Sequence, residues 1–178
     1  MLLSNKPFAF CCNFAVKREC IDSINFNENV KLCEDLLFDM EMYTNINTAG
    51  ILNKPLYKYR KVVGSASNTF DFNKLDNIVY VYEKKIEYSK KWCIPIDKSE
   101  LNKWLCYSVL RFYKKVIFNK KLSKQFCGYV NKSEIICEAF EDYFKQNNKL
   151  NYLMVMGNSV QRTIIRWIFF IKQKRINK

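Results

Sequence analysis

Two segments of this chain carry the same start signal for a helix, and each is followed by an apolar stripe. Together they commit the second half of the sequence to helical packing. Asp97-Lys98-Ser99-Glu100 is a capping box, in which the Asp97 carboxylate accepts the amide three residues on and Glu100 reaches back to the cap amide. Leu101, Trp104, Leu105, Ser108, Val109, Phe112 and Val116 then recur on one face, which predicts a helix to about Lys121. Asn131-Lys132-Ser133-Glu134 repeats the signal. Ile135, Ile136, Ala139, Phe140, Tyr143 and Phe144 form the apolar face of that second helix, and Gln146-Asn147-Asn148 stops it. A third helix begins near Asn151, with Leu150 and Val155 placed as a hydrophobic staple, and carries Val160, Ile164, Trp167, Ile168 and Ile171. Three helices with short connections predict a mainly α fold, an antiparallel three-helix bundle over about 97–172.

The first half gives weaker signals. Val30, Cys33, Leu37 and Met40 recur at helical spacing between Asn27 and Tyr43, with Glu28 near the start, and predict one amphipathic helix. Residues 45–55 read as a loop. Leu56 to Val63 and Asn77 to Tyr82 are rich in Tyr, Val and Ile and flank the turn-like Gly64-Ser65-Ala66-Ser67-Asn68, a pattern that suits two short strands or a poorly ordered insert. Pro95 ends one segment just before the first capping box. The expected organisation is therefore an N-terminal extension over 1–96 and a helical domain over 97–178. Met1 to Arg18 is basic and acid-free, which fits a transit-like start and fits an ordinary apolar N-terminus equally well.

No histidine occurs, which excludes Ser-His-Asp and Cys-His catalysis and histidine-ligated zinc. The eight cysteines show no C-x-x-C pair, so they read as reduced, small apolar residues without a bound metal. Asp35 with Glu41, or Glu138 with Asp142, have the spacing of solvated helix faces, and a non-enzymatic role is expected. Thirty Lys and Arg against 17 Asp and Glu leave a net charge of +13, which favours an acidic partner. The most apolar run, Thr163 to Ile171, is short and contains Arg166, so no transmembrane segment is expected.

Ser108-Val109-Leu110-Arg111-Phe112-Tyr113-Lys114-Lys115-Val116-Ile117 resembles the first-helix signature of the LYR-motif mitochondrial adaptors, with Phe112-Tyr113-Lys114 standing where that family has Leu-Tyr-Arg. Ile135 to Phe140, Asn147-Asn148-Lys149-Leu150 and Met156-Gly157 resemble its second helix, polar break and third helix, so the likeness spans about 99–171. The resemblance implies an accessory subunit or assembly factor in the mitochondrial matrix, serving respiratory-complex or iron-sulfur assembly within a larger mitochondrial complex. It also implies an acyl carrier protein as partner, whose acylated 4'-phosphopantetheine would enter between the helices. On that reading Phe112, Tyr113, Lys114, Lys115, Lys120, Lys121, Arg162 and Arg166 contact the partner, with Lys124 extending the basic rim. Trp104, Val109, Phe140, Phe144, Val160 and Ile164 would form the acyl-chain pocket or core. Any helical bundle would bury Trp104, Phe112, Phe140 and Trp167 without such a partner.

The alternative is a basic RNA-binding or ribosome-associated protein, in which Tyr57, Tyr59, Tyr80 and Tyr82 stack on bases and cations meet phosphates. No Gly-rich phosphate loop supports it, because the four glycines lie far apart.

Overall fold

The computed structural model describes residues 11–52, 54–58, 60 and 69–176, and their regular structure is helical. The mainly α class expected from the sequence holds. The chain divides into two compact units, Met1–Asp97 and Lys98–Lys178. The transit-like start lies mostly outside the described residues, as does much of the first predicted strand; the described part of that strand, 56–58 and 60, is irregular.

The N-terminal unit is built on α1 (Glu34–Thr44) and α2 (Asn73–Lys91). The helix predicted from Asn27 begins instead at Glu34, because Cys33 adopts the left-handed conformation at φ 62° and breaks any continuous helix there. Leu36, Leu37, Met40 and Met42 of α1 are buried, as are Leu75, Ile78, Val81 and Tyr82 of α2. The second predicted strand, 77–82, lies inside α2. Its β-branched and aromatic residues favour a strand locally, but buried positions at 75, 78, 82, 85 and 89 follow the helical repeat. Lys85 and Ser89 occupy two of those inward positions, which disguises the stripe in the sequence.

Polar contacts bind the unit's loops to these helices. The Lys31 amide donates to the Asn77 side chain at 2.9 Å, and Trp92 Nε1 donates to Thr44 Oγ1 at 3.1 Å. Phe26 stacks on Phe38 with ring centroids 4.4 Å apart, and Phe14 meets Tyr43 edge-on at 5.7 Å.

The C-terminal unit contains α3 (Lys98–Val116), α4 (Lys120–Val130), α5 (Glu134–Ala139) continuing as a π-helical stretch (Phe140–Lys145), α6 (Lys149–Met156) and α7 (Ser159–Ile176). Each expected helical stretch is thus present, and α4 is an additional helix inserted between the first two. Asn119 caps α4 by accepting from the Leu122 amide at 3.0 Å, which separates it from α3. In the second box the cap is Ser133, which accepts from the Ile136 amide at 3.4 Å. Leu101, Leu105, Val109, Phe126, Ile136, Phe140, Phe144, Met154 and Ile165 make the core.

The expected third helix is divided into α6 and α7 at Gly157-Asn158. Asn158 accepts from the Gln161 amide while Gln161 Oε1 accepts from the Asn158 amide, both at 2.9 Å, a reciprocal box that starts α7. Gly157 is needed there because a Cβ would collide with the Leu153 carbonyl, with Gln161 Oε1 also close. Gly157→Ala should lower the unfolding free energy of this unit by about 1–3 kcal/mol, measured by urea denaturation. An unchanged midpoint would show that the α6–α7 junction yields freely.

Candidate functional site

Among the described side chains of the C-terminal unit, exposed cations cluster at the α3–α4 corner. α3 ends in Lys114 and Lys115, the turn at 117–119 follows, and α4 opens with Lys120 and Lys121, then Lys124 one turn on. All five lysines are exposed, and so is Arg111. Lys115 Nζ lies 4.8 Å from the centre of the Phe112 ring. Phe118, at the turn itself, is 53% exposed and places an aromatic ring among the cations. Among the described residues no carboxylate forms an ion pair with Lys114, Lys120, Lys121 or Lys124.

Helix electrostatics account for only half of this cluster. Cations at the C-terminal end of α3 are favourable to its dipole, but Lys120 and Lys121 stand at the positive end of α4, whose first turn has no acidic residue. Sequence reasoning identified the lysines one by one and missed the stronger signal. From Leu101 to Ser133 the chain holds Lys103, Arg111, Lys114, Lys115, Lys120, Lys121, Lys124 and Lys132 without a single Asp or Glu.

The remaining predicted partner contacts lie elsewhere. Phe112 and Tyr113 are buried, at 3% and 0% exposure, so these two residues of the motif-like triplet serve the core. The inward stripe of α3 passes through both, leaving Lys114 as the exposed member. The Tyr113 and Ser123 hydroxyls hydrogen-bond at 3.2 Å, and Arg166 donates to the Ser123 hydroxyl from α7. Arg162 donates to the Gly157 carbonyl at 2.6 Å. Both arginines are half-buried and turned into the unit, a correction to their expected place on the basic rim.

The expected acyl-chain pocket divides in the same way. Val109, Phe140 and Phe144 are fully buried, and Phe140 meets Phe144 edge-on at 5.1 Å, so they fill the interior. Trp104 is half-buried. Val160 and Ile164 are 65% and 55% exposed, and Trp167 on the same face is 64% exposed. Their periodicity predicts a core stripe, but among the described side chains of α7 Ile165 is the buried apolar one, and Arg162 and Arg166 are half-buried on either side of it. The described part of that stripe, Val160, Ile164, Trp167 and Ile168, is therefore exposed.

Burial holds the Cys127, Cys106 and Tyr113 protons in place. Burial pushes the Cys127 thiol up, and the Arg162 and Arg166 charges nearby do not reverse it. Burial likewise raises the Tyr113 hydroxyl, against the hydrogen bonds from Ser123 and Arg166. Cys106, also raised by burial, donates to the Ala139 carbonyl at 3.2 Å. Among the described residues no cluster of His, Cys, Asp and Glu is placed to hold a metal.

The N-terminal unit has its own buried ionisable groups. Asp39, at 0% exposure, accepts from the Cys11 thiol at 3.2 Å through Oδ1, while its Oδ2 is buried without a partner. Burial chiefly, with the Asp35 charge added, raises Asp39 to about 6. Burial and the Asp39 contact push Cys11 up to about 12, so the pair holds a proton instead of presenting a nucleophile. A cleft of about 60 Å³ between Asn25, Asn27, Leu37, Glu41, Tyr80 and Lys84 has room for a few waters.

Compared with protein-family models, curated proteins and solved structures, the chain matches none. Among the described residues no helix is long and apolar enough to cross a membrane.

Proposed function

We propose that the protein is a non-enzymatic adaptor whose C-terminal unit docks the acidic surface of a partner protein on the α3–α4 corner. The observation that carries this reading is the acid-free span from Leu101 to Ser133, which displays Lys114, Lys115, Lys120, Lys121 and Lys124 around one turn. Cations arranged in this way steer an acidic partner and set its orientation. The partner we propose, from the likeness to LYR-motif adaptors, is an acyl carrier protein in the mitochondrial matrix, with the adaptor serving assembly of a larger complex. Its acylated 4'-phosphopantetheine would reach the interior only if the packing of Val109, Phe140 and Phe144 opened. The reading therefore rests on the charged surface.

Intact-mass analysis after affinity purification tests it. A small acidic protein bearing an acylated pantetheine arm should accompany the wild-type chain. Charge reversal at Lys114, Lys115, Lys120 and Lys121 should weaken its capture at least tenfold while far-UV circular dichroism stays unchanged, because all four side chains are exposed. Nuclease-sensitive RNA in place of that protein, with a salt slope that drops by about 0.7 to 0.9 for each lost phosphate contact, would replace the adaptor by an RNA-binding protein.

A further inference from the structure

We propose that α7 is a membrane-surface helix, lying in the plane of an anionic lipid layer with Val160, Ile164, Trp167 and Ile168 in the acyl-chain boundary. This goes beyond the docking role given to the α3–α4 corner and uses a different face of the unit.

The orientation of α7 motivates it. A helix packed only for its own unit would bury its apolar stripe and leave arginines in water. Here Val160, Ile164 and Trp167 are more than half exposed and Ile168 is 37% exposed, while Arg162 and Arg166 are held by Gly157 and Ser123. Positions 160, 164, 167 and 168 fall on one side of the helix, so the exposed apolar groups form one continuous strip. On a protein surface a strip of this kind marks a place that meets something apolar.

Charge selects the occupant. Arg162 and Arg166 are engaged within the unit, but beyond them the sequence to Lys178 contains Lys172, Lys174, Arg175 and Lys178, and from Ser159 to Lys178 it has no acidic residue. A second copy of the chain would bring the same cations and another +13 against them, so self-association is opposed by repulsion. An anionic lipid layer satisfies both properties at once, because its phosphates and its apolar interior lie side by side in one plane. Tryptophan is the side chain best suited to that boundary. The same charges keep the helix from spanning, and at 18 residues it would lie about 27 Å along the surface.

The test uses the full chain and two vesicle preparations, phosphatidylcholine alone and phosphatidylcholine with an equal amount of phosphatidylglycerol. Flotation should recover the protein with the phosphatidylglycerol vesicles and leave it behind with phosphatidylcholine alone. Lipids brominated in the acyl chain should quench tryptophan emission in the bound protein. Trp167→Phe should float nearly as before and lose most of that quenching, since Trp92 and Trp104 lie outside α7. Ile164→Asp should lower partition at least tenfold with unchanged circular dichroism, because Ile164 is exposed. Absence of flotation with phosphatidylglycerol would overturn the proposal. So would quenching that persists in Trp167→Phe, which would put the lipid contact elsewhere. A concentration-dependent dimer without lipid binding, abolished by Ile164→Asp, would assign the strip to a second copy instead.

Discussion

Phe140→Asp is expected to unfold the C-terminal unit. Phe140 is fully buried at the start of the π-helical stretch, edge-on to Phe144. The neighbouring Ala139 carbonyl accepts from Cys106 on α3, so the same turn is tied to the longest core helix. Truncation to Ala removes most of a ring from a packed interior and costs about 3–5 kcal/mol. A carboxylate adds the penalty of a buried charge without a cation beside it, and together these approach the whole stability of a small domain, about 5–15 kcal/mol. Urea denaturation followed by the emission of half-buried Trp104 in a Trp92→Phe, Trp167→Phe background should give a strongly lowered midpoint for Phe140→Ala and no cooperative transition for Phe140→Asp. Phe140→Leu should cost about 1.5 kcal/mol or less. Equal behaviour of the Leu and Asp variants would mean that position 140 is not core.

The parts of this fold that were legible in the sequence are those where local signals agreed. At α3 a capping box and an apolar stripe point to the same helix, and both Leu105 and Val109 are buried as the stripe requires. In α2 they disagree, since local β propensity at 78–82 competes with a helical stripe interrupted by Lys85. The division between α3 and α4 depends on one asparagine cap, and an asparagine among lysines carries little weight in a chain rich in both. The division between α6 and α7 depends on a close approach at Gly157, which a sequence does not display. α7 shows the limit of periodicity most directly. Its repeat is helical as read, but which face turns inward was set by Ile165 and the hydrogen-bonding arginines.

The candidate site was legible in part for the same reason. Lys114, Lys115, Lys120 and Lys121 are surface residues on any helical reading, and they are exposed. Phe112 and Tyr113 were grouped with them by motif likeness, whereas burial separates them from their lysine neighbours by one residue. On a helix a single step turns the side chain by about 100°. Adjacent residues of a motif therefore need not share a surface.

The N-terminal unit should be least stable between about pH 6 and pH 8, because two buried ionisable groups then carry their full charge. Asp39 is raised by burial from the ordinary 3.8 to about 6, so the native state keeps a proton that the unfolded chain has released. Stability should fall as pH rises from about 4 to about 6, with Asp35, raised in the same direction, adding to the loss. Lys85, 1% exposed, is lowered by burial from 10.5 to about 8, with Cys33 opposing the shift. There the unfolded chain holds the extra proton, so stability should rise from about pH 8 upward. Above about pH 9 Cys11, whose thiol is favoured in the native state, acts against this gain. Each limb amounts to about 1–3 kcal/mol, taking a full shift as an upper bound. Urea denaturation across pH 4 to 9, read by Trp92 in a Trp104→Phe, Trp167→Phe background, measures the acid limb and the start of the alkaline one. Asp39→Asn should flatten the acid limb and leave the alkaline one, and Lys85→Met should do the reverse. A wild-type profile that rises steadily from pH 4 to 7 would sink the assignment, since it would require Asp39 to be ionised and stabilised in the folded state.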